Sequence, residues 1–179
     1  MKAITLHAVL TTWLAITGSL SAAEPLSLDP HLEALRPLIG KTWKGTFKNS
    51  TPEKPVVDVM SCERALNGKA VRSLHSINDG VYGGETIYMW DSKEKTIRYH
   101  YFTTAGFMTV GTLTVEDGKW ISNEKVTGSS GGVTEVRGTS EMKPDGTFLV
   151  KTEHLRDGKW DAGRETTYRE DPEAKVVFK

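Results

Sequence analysis

Apolar and polar residues alternate along several segments of this chain. In one such segment Ile97, Tyr99 and Tyr101 fall on one side, and Arg98 and His100 fall on the other. Successive side chains of a β-strand point to opposite faces, so a period of two is typical of a strand that buries one face and exposes the other. The pattern predicts a protein built mainly from half-buried β-strands.

Turn-forming residue pairs separate the alternating segments. Asn-Gly and Asp-Gly pairs favour tight hairpin turns because both central positions need a positive φ, which these residues tolerate. The pairs are Asn67-Gly68, Asp79-Gly80, Ala105-Gly106, Asp117-Gly118, Asp145-Gly146 and Asp157-Gly158. Longer polar breaks lie at residues 49–55, 91–95 and 128–132. These nine connections, about 12 to 15 residues apart, predict ten strands of an all-β sandwich or barrel.

The predicted strands occupy the ranges between these breaks. They are 42–48, 56–66, 69–78, 81–90, 96–104, 107–116, 119–127, 133–143, 147–156 and 159–169. One short helix precedes them, because Asp29 is a suitable N-cap, Pro30 is a good first helical residue and Pro37 ends the run. We expect this N-terminal helix to plug one end of the structure.

Short turns between successive strands produce one continuous antiparallel sheet. Closing that sheet on itself removes both unpaired edges, which otherwise promote aggregation. The expected fold class is all-β: an antiparallel up-and-down barrel of about ten strands, of the lipocalin type, with one short N-terminal helix. Small barrels are either filled by side chains or hold one small ligand, so the interior is the first place to look for a function.

A short sequence occurs twice in the second half of the chain. The segments 115–120 and 155–160 both place Asp-Gly-Lys-Trp after a predicted strand. Two copies are too few for a repeat architecture. We interpret them as two hairpins with the same type of turn, in which Trp120 and Trp160 each pack just after the turn.

The first 23 residues have the composition of a secretory signal peptide. Lys2 gives a basic start, residues 3–20 carry no charge, and small residues end the segment at Ala23. The uncharged stretch contains too many polar residues for a transmembrane anchor, which needs about 20 apolar residues. We predict a signal peptide over 1–23, a barrel domain over 24–179, and a periplasmic or secreted protein without a membrane span after cleavage.

The charge balance argues against a polyanionic partner. The chain has 23 basic and 23 acidic residues, and cleavage of the signal would remove only Lys2. Without an excess of positive charge there is no electrostatic attraction for nucleic acid. We expect a small-molecule ligand and a monomer or homodimer.

The single cysteine, Cys62, cannot form an internal disulfide and is expected to be a small buried residue.

Three segments resemble known barrel proteins. Residues 35–47 (LRPLIGKTWKGTF) resemble the opening of calycin-like barrels, in which a short helix leads to a glycine, a tryptophan and the first strand. Residues 63–71 and 84–91 resemble bacterial lipocalin-like domains of unknown function, and the likeness covers most of residues 32–169. The chain is also distantly similar to nitrobindin-type barrels. That similarity implies a haem-binding barrel whose proximal histidine lies in the C-terminal part, as His154 does.

No motif predicts a catalytic residue or a metal site. Gly128-Ser-Ser130-Gly-Gly132 has the spacing of a nucleophile elbow, but an elbow needs a strand before it and a helix after it. Here two antiparallel strands are predicted instead. The histidines beyond the signal peptide do not have the spacing of zinc or copper ligands. We therefore assign no catalytic residue and no metal ligand, and do not expect an enzyme.

Carboxylates on the strands are left open as interior groups. Glu85, Glu124, Glu135 and Glu165 each lie on a predicted strand. Bulges and strand ends shift the alternation of faces, so the sequence does not fix which of these side chains point inward. A paired general acid and base cannot be derived from their spacing.

Five residues are candidates for contact with a ligand in the lumen. We expect one of Arg137 and Arg164 to point inward, where a guanidinium binds a carboxylate through two hydrogen bonds. Tyr99, Tyr101 and Trp43 supply aromatic surface. For Trp43 we favour a structural interpretation, in which the ring closes the floor of the barrel.

His154 is the candidate cofactor ligand. It shares strand parity with Phe148 and Val150, so it faces the interior if they do. A neutral imidazole at that position can bind haem iron. The alternative is a buried histidine that forms hydrogen bonds within the barrel.

Three functional hypotheses follow from these observations. The first is an exported barrel that binds a small, partly apolar molecule and needs no cofactor. The second is a haem-binding barrel that acts on small oxidants. The third is a barrel with a filled interior that serves as a non-catalytic interaction module. An internal cavity would favour the first two over the third.

Overall fold

The computed structural model describes residues 27–128 and 131–179. The predicted signal peptide, residues 1–23, and Ser130 of the Gly-x-Ser-x-Gly motif lie outside the described residues. Within the described part of the chain, no helix is long and apolar enough to cross a membrane.

Ten antiparallel strands form one closed barrel in the described residues. Each strand pairs with its neighbours in sequence, and β1 pairs with β10 to close the ring. The strands are β1 (Lys41–Phe47), β2 (Val57–Ala65), β3 (Ala70–Ile77), β4 (Tyr82–Asp91), β5 (Thr96–Thr103), β6 (Met108–Glu116), β7 (Lys119–Thr127), β8 (Val133–Met142), β9 (Phe148–Arg156) and β10 (Lys159–Glu170). Every boundary lies within one residue of the predicted range, and the predicted fold class is confirmed.

The short N-terminal helix is a 3₁₀ helix over Pro30–Leu38, with Asp29 as its N-cap. A 3₁₀ helix has three residues per turn, so side chains three apart lie on one face. Leu32, Leu35 and Leu38 have this spacing and are all buried. The helix therefore presents a narrow apolar stripe to the barrel.

The two ends of the barrel differ. The 3₁₀ helix packs against β2, β3 and β4 and covers the end at which β1 begins, here called the capped end. The backbone N–H of Asp29 donates to the carbonyl of Gly68 in the β2–β3 turn at 2.8 Å, which ties the helix to this end. The opposite end, here called the far end, carries the connections at 48–56, 78–81, 104–107 and 157–158, and β7 ends and β8 begins there.

Four aromatic side chains pack together in the capped half of the barrel. Phe148 packs against Trp43, Trp120 and Tyr168, with ring centroids 6.2, 5.2 and 6.0 Å away. These distances are typical of favourable aromatic pairs, which add to the free energy gained from apolar burial. Trp43 is 1 % exposed, in agreement with the interpretation that its ring closes the barrel floor.

The two similar hairpins place their tryptophans on opposite faces. Both turns have positive φ at the Asp and Gly positions, as a tight two-residue hairpin requires. Trp120 is buried inside the barrel, whereas Trp160 lies on the outer surface. Trp160 pairs with Leu155, which follows the inward-facing His154, so the alternation of the strand turns both outward.

Candidate functional site

A cavity of about 460 Å³ lies inside the barrel. Ligand pockets commonly have volumes of about 300 to 1,000 Å³, so this cavity is large enough for a small organic molecule. Its capped half is apolar and is lined by Leu35, Leu38, Val71, Leu113, Trp120 and Phe148. The remaining wall carries polar and ionisable groups: Asp58, His75, Tyr82, Tyr101, Glu124, His154 and Arg164.

Four of the six residues predicted from the sequence line this cavity. They are Tyr99, Tyr101, His154 and Arg164. Trp43 is not among the cavity-lining residues, because its ring is buried in the floor below Phe148. Its candidate role as a ligand contact is corrected accordingly.

Of the two arginines of which one was expected to point inward, Arg164 lines the cavity and Arg137 points away from it, so Arg137 is not a ligand contact. Its strand neighbours Val136 and Gly138 line the cavity, so alternation places Arg137 on the outer face. There Nε donates to Glu153 at 2.6 Å, and the guanidinium lies 4.3 Å from the ring centroid of Trp160. Arg137 is therefore a surface residue with partners of its own.

Asp58 is a fully buried carboxylate with three donors. It accepts hydrogen bonds from Tyr168 Oη at 2.7 Å and from Arg164 Nη1 at 3.1 Å, and His75 Nδ1 lies 3.0 Å away. An unpaired charge inside a protein is costly, so such groups are retained when they are paired and hydrogen-bonded. Asp58, Arg164, His75 and Tyr168 thus form one satisfied cluster in the barrel wall.

A hydrogen-bond chain leads from Asp58 towards the far end. His75 Nε2 lies 2.7 Å from the hydroxyl of Tyr101, which lies 2.9 Å from the hydroxyl of Tyr82. An ionised carboxylate can only accept, so His75 donates to Asp58 through Nδ1. In the neutral imidazole Nε2 then accepts from Tyr101. Burial raises the pKa of both phenols, which keeps them protonated.

At two inner-face positions a glycine lets a tyrosine side chain from the neighbouring strand pass over it. The tyrosine thereby reaches an acidic residue on the strand beyond. Gly45 pairs with both Tyr168 and Asp58, so the three residues form one row across β10, β1 and β2. A Cβ at Gly45 would stand 2.7 Å from Tyr168, too close for any larger residue without a shift. The absence of a side chain therefore lets Tyr168 reach Asp58. Glycine inside a strand often marks such a close approach.

A second row of this kind runs across β5, β6 and β7. Gly111 pairs with both Tyr99 and Glu124, and a Cβ at Gly111 would stand 2.4 Å from the ring of Tyr99. Tyr99 leans over Gly111 towards Glu124. Its buried hydroxyl nevertheless forms no hydrogen bond of good geometry with Glu124 or with Ser122 nearby.

Glu124 has far fewer partners than Asp58. Among the described residues, its one hydrogen bond of good geometry comes from Thr109 Oγ1, at 2.7 Å. Burial raises the pKa of the Glu124 carboxyl, although Thr109, Tyr99 and the charge of Arg164 oppose the shift. The other strand carboxylates left open by the sequence do not line the cavity: Glu85, Glu135 and Glu165.

His154 lies at the cavity wall near the far end. Burial lowers its pKa, and the positive charges of Arg156 and Arg164 act in the same direction while Asp161 opposes them. Its Nε2 edge packs over Gly163, where a Cβ would stand 2.7 Å away. His154 is therefore a neutral imidazole that lies against the bulged part of β10.

Cys62 and potential metal ligands offer no further chemistry. Burial raises the pKa of the Cys62 thiol to about 11, which keeps it in the unreactive protonated form. In residues 27–128 and 131–179, no group of three or more histidine, cysteine, aspartate or glutamate side chains could hold a metal ion.

Sequence reasoning did not identify Asp58 or His75 as site residues and left the orientation of Glu124 open. Their partners lie on other strands, and Arg164 is 106 residues from Asp58. The available signal was glycine at inner-face positions of strands, such as Gly45 and Gly111.

The fold and the cavity define a closed, ten-stranded antiparallel barrel with an internal site. No family model and no curated protein matches this chain. Among solved structures, the chain is similar to Rv2717c from M. tuberculosis, with a TM-score of 0.57 and 14 % sequence identity. The match covers 83 % of this chain and all of Rv2717c. At this identity the likeness shows a shared barrel fold.

Proposed function

We propose that this protein binds a small, partly apolar molecule inside the barrel. The observation that carries the proposal is the internal cavity of about 460 Å³. A single water needs only about 10 to 15 Å³ of probe-occupied volume, so the interior holds far more than an isolated water. This volume supports a binding barrel over the third hypothesis, a filled interaction module.

The distribution of side chains suggests how a ligand would lie. Leu35, Leu38 and Leu113 would receive its apolar part at the capped end. The hydroxyls of Tyr82 and Tyr101 would meet polar groups in the other half. Such a combination of apolar walls with a few convergent polar groups is usual for small-molecule sites.

Binding of Nile red, a neutral apolar dye, tests this proposal. Val126→Trp places a large ring in the cavity, whereas Lys125→Trp places the same ring on the outer face of the same strand. We expect the dye to fluoresce with the native protein and with Lys125→Trp, and to lose affinity for Val126→Trp. Far-UV circular dichroism verifies that both variants fold. Equal binding by both variants, or none by the native protein, would contradict the proposal.

A haem barrel that acts on small oxidants is the second candidate, favoured by the position of His154 at the cavity wall. Its lowered pKa keeps the imidazole neutral, as an iron ligand must be. Bound haem would supply iron as a centre for redox chemistry. Coordination through Nε2 requires the ring to turn away from Gly163. A Soret band on titration with haemin, lost in His154→Ala but kept in the exposed His100→Ala, would support this candidate. A spectrum unchanged by His154→Ala would remove it.

We also propose that the protein is exported after cleavage of residues 1–23. The support is the basic, uncharged and small-residue succession of that segment. Intact-mass measurement of protein from a periplasmic or culture fraction tests it. We expect a chain that begins at Glu24, and a mass equal to that of the full 179 residues would contradict export by cleavage.

A further inference from the structure

We infer that the ligand of this barrel carries a protonated amine, and that Glu124 is its counter-charge in the lumen. The inference rests on the proposed function and names the chemical class of the bound molecule. Three features of the described residues carry it: the lack of an ion-pair partner for Glu124, the few hydrogen bonds that its carboxylate accepts, and the aromatic rings around it.

Of the two acids that line the cavity, Asp58 has an ion pair and Glu124 has none among the described residues. Arg164 Nη1 lies 3.1 Å from Asp58, and Arg156 Nη1 lies 2.9 Å from Asp161. Among the described residues, no lysine, arginine or histidine lies within 4.0 Å of the Glu124 carboxylate. A ligand with one positive charge would give Glu124 an ion-pair partner, whereas an anionic ligand would meet an acid without a counter-charge.

The carboxylate of Glu124 has room for further donors. An ionised carboxylate has about four acceptor positions, and Thr109 fills one of them. The hydroxyl of Tyr99, a residue only 3 % exposed, lies close by without a hydrogen bond of good geometry. A buried polar atom without a partner is uncommon. A hydrogen bond donated by the Tyr99 hydroxyl would fill a second acceptor position of an ionised Glu124 and leave the remaining positions for an ammonium group.

The wall around Glu124 is rich in aromatic rings. Tyr88 and Tyr99 pack together with ring centroids 5.1 Å apart, and both line the cavity. Gly111 pairs with Tyr99 on one side and with Glu124 on the other, and the Tyr99 ring lies over it, so the carboxylate lies in the same row as this ring. Aromatic faces attract ammonium groups, and the attraction is strongest where water is excluded.

Ionisation of Glu124 sets the expected dependence on pH. The titratable or charged groups that line the cavity together with Glu124 include Tyr82, Tyr88, Tyr99, Arg156 and Arg164. Asp58, His75 and His154 line the same cavity, while the adjoining strands β6 and β8 place residues such as Thr109, Gly111 and Val136 beside Glu124. Because its pKa is raised, the carboxyl must lose a proton to bind an amine. Amine affinity therefore rises with pH as Glu124 ionises.

Competition against Nile red tests the inference with two matched probes. 2-Phenylethylamine is positively charged below about pH 10, while 2-phenylethanol has similar size and no charge. We expect the amine to displace the dye at about tenfold lower concentration than the alcohol at about pH 8. The preference should shrink as the pH is lowered, because the raised pKa of Glu124 means that its carboxyl takes up a proton at a higher pH than an ordinary glutamate does.

Two variants identify the group responsible. Glu124→Gln should abolish the preference for the amine and its pH dependence while Nile red still binds. Glu135→Gln, on the outer face of β8, should leave both unchanged. Equal displacement by amine and alcohol, or an amine preference that persists in Glu124→Gln, would overturn the inference while the binding barrel stands. Failure of the native protein to bind Nile red would instead overturn the proposed function and the inference with it.

Discussion

Two inward-facing carboxylates, Asp58 and Glu124, have opposite surroundings in the same barrel. Each acid is the third member of a row of paired residues on three neighbouring strands, after a tyrosine and a glycine. In both rows the tyrosine side chain passes over the glycine towards the acid. Asp58 has an arginine, a histidine and a tyrosine around it, whereas Glu124 has one hydroxyl with good geometry. The backbone arrangement is shared, and the difference lies in the donors that neighbouring strands provide.

The comparison separates a structural group from a binding group. A buried carboxylate that is saturated with donors stabilises the fold only as long as all its partners remain. A carboxylate with open acceptor positions on a cavity is available to a ligand. The following predictions challenge this contrast, beginning with the largest expected effect.

Asp58→Ala is expected to lower the free energy of unfolding by about 3 to 5 kcal/mol. The substitution leaves Arg164 and His75 in the interior without their shared acceptor. Urea denaturation followed by circular dichroism measures the change. Glu124→Gln is the matched control, and it should change the free energy of unfolding by about 1 kcal/mol or less because it replaces a weakly bonded group with a neutral isostere. A larger loss for Glu124→Gln than for Asp58→Ala would reverse the assignment of roles.

Gly45→Ala is expected to cost about 1 to 3 kcal/mol, because the added methyl group forces Tyr168 away from Asp58. A double-mutant cycle tests whether this loss comes from the hydrogen bond between Tyr168 and Asp58. Gly45→Ala and Asp58→Ala damage the same hydrogen bond, so their combined effect should be smaller than the sum of the two. Gly45→Ala and Glu124→Gln act in different rows and should be additive. Additivity in the first cycle would show that Tyr168 and Asp58 are not coupled.

The smallest expected effect is a dependence of stability on pH that originates at Glu124. Its folded-state pKa is raised, so the folded protein holds a proton that the unfolded chain releases first. Stability from this group is present below the unfolded pKa of about 4.3 and is lost as the pH rises through the folded value. Thermal unfolding across this range should show native protein losing stability relative to Glu124→Gln. Parallel pH profiles of the two proteins would contradict the shift.

The fold was predictable because local signals were strong and consistent. Tight hairpin turns require a positive φ that Asn-Gly and Asp-Gly pairs adopt more readily than other residues. These pairs separate segments in which apolar and polar residues alternate with a period of two. Ten strands linked by short turns leave few topologies other than a closed meander. The position of each strand followed to within one residue.

The site was predictable only in part, because its residues meet through pairing between distant segments. Parity within β9 correctly brought His154 to the cavity alongside Phe148 and Val150. Parity failed to separate Arg137 from Arg164, since a bulge between Ala162 and Glu165 shifts the register of β10. Gly163 lies within this bulge, but a glycine inside a strand marks either a bulge or a close approach of another group, so the orientation of Arg164 needed the structure.

The two similar hairpins also show that a local sequence does not determine which face of the sheet a side chain occupies. Their shared Asp-Gly-Lys-Trp sequence fixes the turn, because turn geometry depends on the residues within it. It does not fix which face the tryptophan occupies, because that depends on the parity of the whole strand. Trp120 is buried and Trp160 lies beside Arg137 on the surface for this reason.

The most direct test of the contrast between the two acids is a carbon-detected nuclear magnetic resonance titration of the side-chain carboxyls. The native protein is measured with and without 2-phenylethylamine. We expect the Glu124 carboxyl to titrate above its usual pKa in the free protein and to shift to lower pH when the amine is added. The Asp58 signal should not respond to the amine, because three protein donors already surround this fully buried carboxylate. A Glu124 carboxyl with an ordinary pKa that does not respond to the amine, or an Asp58 signal that does respond, would contradict the account.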